Sequence, residues 1–99
     1  MAAYLIANYN ITDPEAYKAY PPGAVETLEA HGAEMVIADF NTEAVEGEAG
    51  KVTIVVKFAS REALNTWYHS PEYQAIVGVR IENSEGNLVF VDGVAPPEA

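Results

Sequence analysis

The order of its predicted strands and helices restricts the fold of this chain more than any other feature. Apolar and β-forming residues predict strands at residues 3–11, 34–40, 51–58 and 88–93. Helical patterns lie between the first two strands and between the last two, whereas only the polar stretch NTEAVEGEAG joins the second strand to the third. Because a polar, glycine-bearing connection of this kind predicts a hairpin, the order is strand, helix, strand, strand, helix pair, strand.

This order is the split βαβ pattern of a ferredoxin-like sandwich. We expect an α+β domain in which a four-stranded antiparallel sheet carries its helices on one face, with the first and third strands in the centre. A chain of 99 residues makes one domain. We assign residues 1–94 to that domain, and we expect residues 95–99, which hold two prolines and no apolar anchor, to form a disordered tail.

Prolines and glycines divide the first helical segment. Pro21-Pro22-Gly23 is expected to interrupt the helix, because proline removes a backbone donor and disfavours helical geometry in the residue before it. The helix is predicted to resume after this break with Val25 and Leu28 facing inward. Gly32 is expected to end it in a left-handed conformation.

The second helical segment is predicted to consist of two short helices that meet at Ser70-Pro71. Ser60 caps the first, from Arg61 to about Tyr68, and Ser70 caps the second. The joint lies within the aromatic stretch NTWYHSPEYQ, whose large side chains either seal the core or wall a pocket. One face of the second helix carries Tyr73, Ile76, Val77 and Arg80.

The sheet face without helices is predicted to be too apolar to remain in water. In the third strand Val55 stands between Thr53 and Lys57 on one face, and the other face is wholly apolar. Because no face of the first, third or last strand is wholly polar, we expect a homodimer whose sheets pack face to face as a dimeric α/β barrel. Such packing buries on the order of 800 Å² per partner. The alternative is a monomer with a few exposed aliphatic residues.

Charge and composition argue against several classes of partner. The net charge of −10, from 15 acidic and five basic side chains, repels nucleic acid and anionic membrane surfaces, so we expect neither as a partner. The absence of Cys and of a signal-peptide pattern predicts a cytoplasmic protein. No spacing of histidines and carboxylates predicts a metal, no cofactor-binding motif occurs, and we expect no cofactor.

Several segments carry a family resemblance, namely ITDPEAY, EAHGA, VVKF and NLVFVDG. Its most specific part is the motif W-Y-x-S-P-x-Y followed by Arg, formed here by Trp67, Tyr68, Ser70, Pro71, Tyr73 and Arg80. Across residues 2–93 the chain resembles an uncharacterised family of dimeric α/β-barrel proteins, whose name states only that the function of the domain is unknown. The resemblance implies a ferredoxin-like fold and a dimer with facing sheets.

The resemblance brings no activity of its own. Relatives in the wider superfamily include cofactor-independent monooxygenases and small isomerases or dehydratases. The chain has Gly32-Ala33 where many members have Gly-Gly, and it has YPPG where many have an unbroken first helix. These departures would alter any pocket beneath that helix.

Two functional interpretations follow from the residues. In the first, each protomer binds or transforms a small aromatic or carboxylate-bearing metabolite without a cofactor, in a pocket between sheet and helices. The ligand-binding candidates are Tyr9, Tyr17, Tyr20, Lys57, Trp67 and Tyr73, and the catalytic candidates are Tyr68, His69 and Arg80. In the second, the protein is a non-catalytic dimeric interaction or regulatory module.

Three charged or titratable candidates each have a functional and a structural interpretation. Arg80, on the apolar side of its helix, either forms an internal ion pair or anchors a substrate carboxylate or enolate. Lys57 is expected to point between the sheets near Asn8 or Asn10, where it either snorkels to an open barrel end or lines a polar cavity. His69, at a helix end, either acts as a general base or is placed there by the helix dipole alone.

Overall fold

Four strands and four helices make up residues 1–94, the part of the chain that the structure, a computed structural model, describes. In chain order they are β1 (Ala3–Ile11), α1 (Pro14–Tyr17), α2 (Tyr20–Ala30), β2 (Glu34–Asp39), β3 (Val52–Phe58), α3 (Arg61–Tyr68), α4 (Pro71–Glu82) and β4 (Ser84–Asp92). None of these helices is long and apolar enough to cross a membrane. The predicted tail at 95–99 lies outside the described residues.

The four strands form one antiparallel sheet in the order β2-β3-β1-β4. β1 and β3 are central, as predicted, and the polar connection between β2 and β3 joins an antiparallel pair. The helices pack on the face of β1 that carries Ala3, Leu5, Ala7 and Tyr9, all of which are buried. The predicted ferredoxin-like α+β fold is therefore confirmed.

The first helical segment is divided earlier than predicted. The break falls at residues 18–19, and α2 begins at Tyr20, with Pro21 and Pro22 in its first turn. The prediction that the prolines themselves interrupt the helix is wrong, because the first turn of a helix makes no use of the backbone N–H that proline lacks.

α2 buries a different set of side chains from the one predicted. Leu28 faces the core as expected, but Val25 is 45% exposed, so its predicted inward position is wrong. The side chains that face the core are spaced at i, i+4, i+7 and i+8. They belong to Tyr20, Ala24, Thr27 and Leu28. Gly32, with φ of 69°, follows the helix in the left-handed conformation expected for its end.

The joint between α3 and α4 seals the core. The hydroxyl of Ser70 accepts a hydrogen bond from the backbone N–H of Tyr73 at 3.3 Å and donates one to the carbonyl of Trp67 at 2.7 Å. Trp67 and Tyr73 are 1% and 0% exposed, and their ring centres are 4.0 Å apart. The interpretation of this stretch as a capped, core-sealing joint is confirmed for these residues.

β4 is longer than predicted. Residues 84–87, predicted as a turn, belong to the strand, in which Ser84 lies opposite Ile11. Gly86 packs so closely on β1 that an added Cβ would overlap the carbonyl oxygen of Asn8. Gly86 therefore does not form the predicted turn. Its lack of a side chain allows β4 to approach β1 closely.

The helix-free face of the sheet is mixed in character. One apolar row crosses all four strands and consists of Ile37, Val55, Ile6 and Val89. The next row toward the β2–β3 connection is polar, with the side chain of Asn8 bonded to the hydroxyl of Thr53 at 3.1 Å and to the backbone N–H of Gly50 at 2.7 Å. The apolar row confirms that this face is not wholly polar.

Candidate functional site

A cavity of about 210 Å³ lies between the sheet and α2. Its floor includes one complete row of the inner sheet face, in which neighbouring strands contribute Ala38, Ile54, Ala7 and Leu88. Two of these four side chains are only a methyl group, which leaves space above the middle and the β2 side of the sheet. Pro21, Ala24 and Leu28 of α2 line the cavity from above.

The cavity opens toward the β2 edge of the sheet. Val25 of α2 and Met35 of β2 are each 45% exposed, and Phe40, just after β2, is 60% exposed, yet all three line the cavity. We call these three residues the mouth. All six residues of β2 are exposed, because this edge strand receives little cover from the helices.

Four tyrosines form two hydrogen-bonded pairs at the other side of the cavity. The hydroxyls of Tyr9 and Tyr17 are 2.5 Å apart, and those of Tyr20 and Tyr73 are 2.6 Å apart. All four residues are buried. Because a pair of phenols uses only one of its two hydroxyl hydrogens internally, each pair keeps one hydrogen that can be donated to a further acceptor.

The environment keeps three of these phenols neutral. Burial raises the pKa of Tyr9, Tyr17 and Tyr20 above the ordinary value of 10.0. The hydrogen bond to Tyr17 raises the pKa of Tyr9 further, and Tyr73 does the same for Tyr20. At neutral pH these groups are therefore hydrogen-bond donors and not phenolates.

Arg80 of α4 lies beside the phenols and has no carboxylate partner within residues 1–94. Its side chain is 9% exposed, and its Nε is fully buried without a hydrogen-bond partner in the described part of the chain. Burial lowers the pKa of Arg80, but the phenols of Tyr73 and Tyr20 raise it by more, so the guanidinium stays charged. Its central carbon lies 6.0 Å from the centre of the Tyr20 ring.

The expectation of an internal ion pair at Arg80 is therefore wrong for the described residues. The cavity is walled by apolar and phenolic side chains, and the acidic residues of this part of the chain lie at its surface. Sequence periodicity places Arg80 on the buried side of α4 but does not reveal which side chains face it there.

The structure brings most of the predicted ligand-binding residues together. Tyr9, Tyr17, Tyr20 and Trp67 line the cavity with Arg80. Tyr73 stands behind Tyr20, to which it is hydrogen-bonded. The indole N–H of Trp67 donates to the hydroxyl of Thr27 at 3.0 Å, so Trp67 contributes its ring surface to the cavity and not a free donor.

Three other predicted residues lie away from the cavity. Tyr68 packs against Phe90, with ring centres 5.5 Å apart, and His69 is exposed at the end of α3. Lys57 is exposed on the helix-free face, where it pairs with Tyr4 in the adjoining strand and does not lie beside Asn8 or Asn10 as expected.

The residues of the mouth were not among the predicted site residues. Val25 was predicted to face the core, and neither Met35 nor Phe40 was singled out. The signal in the sequence is EMVIADF, which carries apolar residues on both faces of a predicted strand. Such a strand has an apolar inner face even when it lies at the sheet edge, where the helices do not reach it.

Fold and cavity together define a ferredoxin-like α+β protein with an apolar, arginine-containing cavity between sheet and helices. The chain belongs to the family described as Domain of unknown function (DUF1330), whose model matches residues 2–94. No curated protein sequence matches the chain.

Solved structures with the same fold include proteins of known and unknown function. A protein of unknown function from Rhodopseudomonas palustris is 16% identical with a TM-score of 0.79, over 96% of this chain and 84% of that one. A dimeric protein of unknown function and ferredoxin-like fold from Bacteroides fragilis is 15% identical with a TM-score of 0.57, over 93% and 96%. A cofactor-independent oxygenase from Streptomyces nogalater is 9% identical with a TM-score of 0.61, over 98% of each chain. At these identities the similarity shows the fold alone.

Proposed function

We propose that the protein is a homodimer whose protomers each bind a small aromatic or carboxylate-bearing metabolite in the cavity, without a cofactor. The observation that carries this proposal is the buried guanidinium of Arg80, which faces an apolar cavity with its Nε unpaired. A buried donor without an acceptor costs about 1–3 kcal/mol, and more when the group is charged. An anionic ligand at the guanidinium would compensate its buried charge.

The surroundings of Arg80 suit an anion attached to an apolar body. Hydrogen bonds between a guanidinium and a carboxylate are roughly twice as strong as neutral ones. The spare hydroxyl hydrogens of the pairs Tyr9–Tyr17 and Tyr20–Tyr73 add donors on the same side of the cavity. The rest of the lining is apolar and would cover the body of the ligand.

The same donors would favour a reaction that develops an oxyanion, such as oxygenation of an electron-rich substrate. The fold is shared with a cofactor-independent oxygenase, which supports this as the reaction class to test first. Among the described residues that line the cavity there is no carboxylate and no His to act as a base at neutral pH. A substrate that enters as an anion would not need one.

Binding can be tested through the fluorescence of Trp67, the single tryptophan of the chain, because its ring lines the cavity. We expect benzoate and salicylate to change this fluorescence saturably and to raise the thermal unfolding midpoint. In Arg80→Met the apparent affinity measured by either method should be at least tenfold lower, because the charge-assisted hydrogen bonds are lost.

The matched control is Arg61→Met, which removes an exposed arginine whose Nε contacts Asp92 at 3.2 Å. This variant should bind as the unmodified chain does. If Arg80→Met and Arg61→Met bind equally well, or if neither an aromatic nor an aliphatic carboxylic acid binds the unmodified chain, the proposed site is wrong.

The homodimer is proposed from the apolar row on the helix-free face and from the dimeric relative of the same fold. Light scattering should give about 21 kDa, twice the chain mass of 10.7 kDa. Val89→Lys, at the end of that row, should shift the mass toward the monomer, since a charge there must be buried between sheets. Val25→Lys has nearly the same exposure on the opposite side and should leave the dimer intact.

A non-catalytic interaction or regulatory module is the second candidate. It is favoured by the positions of Tyr68 and His69, two of the catalytic candidates, outside the cavity. Ligand binding without turnover of any bound acid under air would support this alternative over an oxygenase.

A further inference from the structure

We infer that the ligand is an elongated amphiphile, an unbranched carboxylic acid with its head group at Arg80 and its chain running across the sheet to the mouth. This inference rests on the proposed function, which requires only an anionic group and an apolar body. It adds the shape and the direction of the ligand.

The floor of the cavity spans the whole width of the sheet. The row Ala38, Ile54, Ala7 and Leu88 crosses all four strands. Three strand spacings of about 4.8 Å each give a length of about 14 Å. A floor of this length favours an extended chain, whereas a single aromatic ring would occupy only part of it.

The charge lies on one side of this cavity. Arg80 is the one charged side chain among the described residues that line it. The same guanidinium borders a second, polar recess next to the start of β4, lined by Ser84, Gly86 and Asn87 together with the acidic Glu85. A head group at Arg80 would therefore lie where the apolar cavity meets a polar, solvent-facing recess.

The opposite side is apolar as far as the surface. Val25, Met35 and Phe40 together would cover the outer part of a chain that leaves the cavity. The dimer proposed above uses the other face of the sheet and does not cover the mouth. An alkyl chain continuous with a head group at Arg80 accounts for both the buried charge and the exposed apolar residues.

The test is a series of straight-chain carboxylates from butanoate to decanoate, each below its micelle concentration, followed by Trp67 fluorescence. We expect the affinity to increase about three- to fourfold per methylene group, as expected for burial of a CH₂. The increase should stop at the length at which the chain passes the mouth. In Arg80→Met the whole series should weaken by a similar factor.

A second variant tests the direction of the chain. Ala38→Phe fills the β2 side of the floor and should abolish the gain for the longer acids, while butanoate and pentanoate bind as before. Val36→Phe places the same side chain on the same strand at an exposed position that does not line the cavity, and it should bind the whole series normally.

The outcomes separate this inference from the proposed function. If benzoate binds in an Arg80-dependent manner while chain length has no effect, the amphiphile is wrong and the proposed function stands. If Ala38→Phe weakens short and long acids equally, the chain does not run toward β2 and the inference is overturned. If no acid of either kind binds, both are overturned.

Discussion

The two halves of the layer between the helices and the sheet differ in how completely the sheet is covered. Beneath α3 and α4 the large side chains of Phe58, Leu64 and Trp67 are fully buried, and the ring centres of Phe58 and Trp67 are 5.5 Å apart. Beneath α2, on the β2 side, the mouth residues are exposed around an open cavity. The first half stabilises the fold, and the second offers space for a ligand.

The position of α2 explains this difference. Gly23 near its start lies so close to α4 that an added Cβ would be 3.1 Å from the side chain of Ile76. This close approach holds α2 beside α4 and leaves β2, at the far edge of the sheet, without a helix of its own. Four tyrosines and Arg80 occupy the border between the two halves.

The largest expected effect is the loss of a ring from the closed half. Trp67→Ala should lower the free energy of unfolding by about 3–5 kcal/mol, because it leaves a cavity that the packed neighbours cannot fill. It also removes the donor to the hydroxyl of Thr27. Phe40→Ala, in the open half, should change stability by about 0.5 kcal/mol or less. Urea unfolding of both variants measures the contrast, and equal losses would contradict the division into two halves.

The next effect in size comes from the tyrosines at the border, under alkaline conditions. Because the folded state raises the pKa of Tyr9, Tyr17 and Tyr20, these phenols stay protonated in the fold while they ionise in the unfolded chain above pH 10.0. Their contribution to stability is therefore full below that pH and is lost as the pH rises. A phenol that ionises in the unfolded chain and stays protonated in the fold should cost about 1.4 kcal/mol per pH unit.

The measurement is urea unfolding at a series of pH values from 8 upward. Tyr20→Phe removes one of the three phenols and should make the fall in stability with pH less steep. Slopes are compared because the variant also loses a hydrogen bond at every pH. A slope unchanged in Tyr20→Phe would show that this phenol does not remain protonated in the fold.

Local signals predicted the parts of the fold that local interactions determine. Ser60 and Ser70 cap α3 and α4 as expected, and β1 has the predicted bounds, since capping and alternation act over a few residues. The start of β4 could not be predicted in the same way. Its glycine is required by the approach of β1, which is distant in the sequence.

The candidate site could be predicted only in part, again because local patterns do not report contacts between segments that are distant in the sequence. The tyrosines and Arg80 were found because their spacing on helices and strands places them inward. The exposure of Val25 depends on how far α2 lies from β2. The lack of a carboxylate partner for Arg80 within residues 1–94 depends on which side chains α4 meets. Both depend on how the elements pack together, which the spacing of residues along one helix or strand does not reveal.

The smallest expected effect is that of Arg80→Met on the stability of the unliganded protein. It tests whether Arg80 stabilises the fold or is available for ligand binding. Arg80→Met replaces a buried guanidinium, whose Nε is unpaired and which has no carboxylate partner among residues 1–94, with an apolar side chain of similar length. The unliganded protein should therefore be unchanged or more stable by about 1 kcal/mol. Urea unfolding without ligand measures this, with Arg61→Met as the exposed counterpart. If Arg80→Met lowers the free energy of unfolding by several kcal/mol, the arginine stabilises the unliganded fold. This result would contradict Arg80 as a group available to bind an anionic ligand.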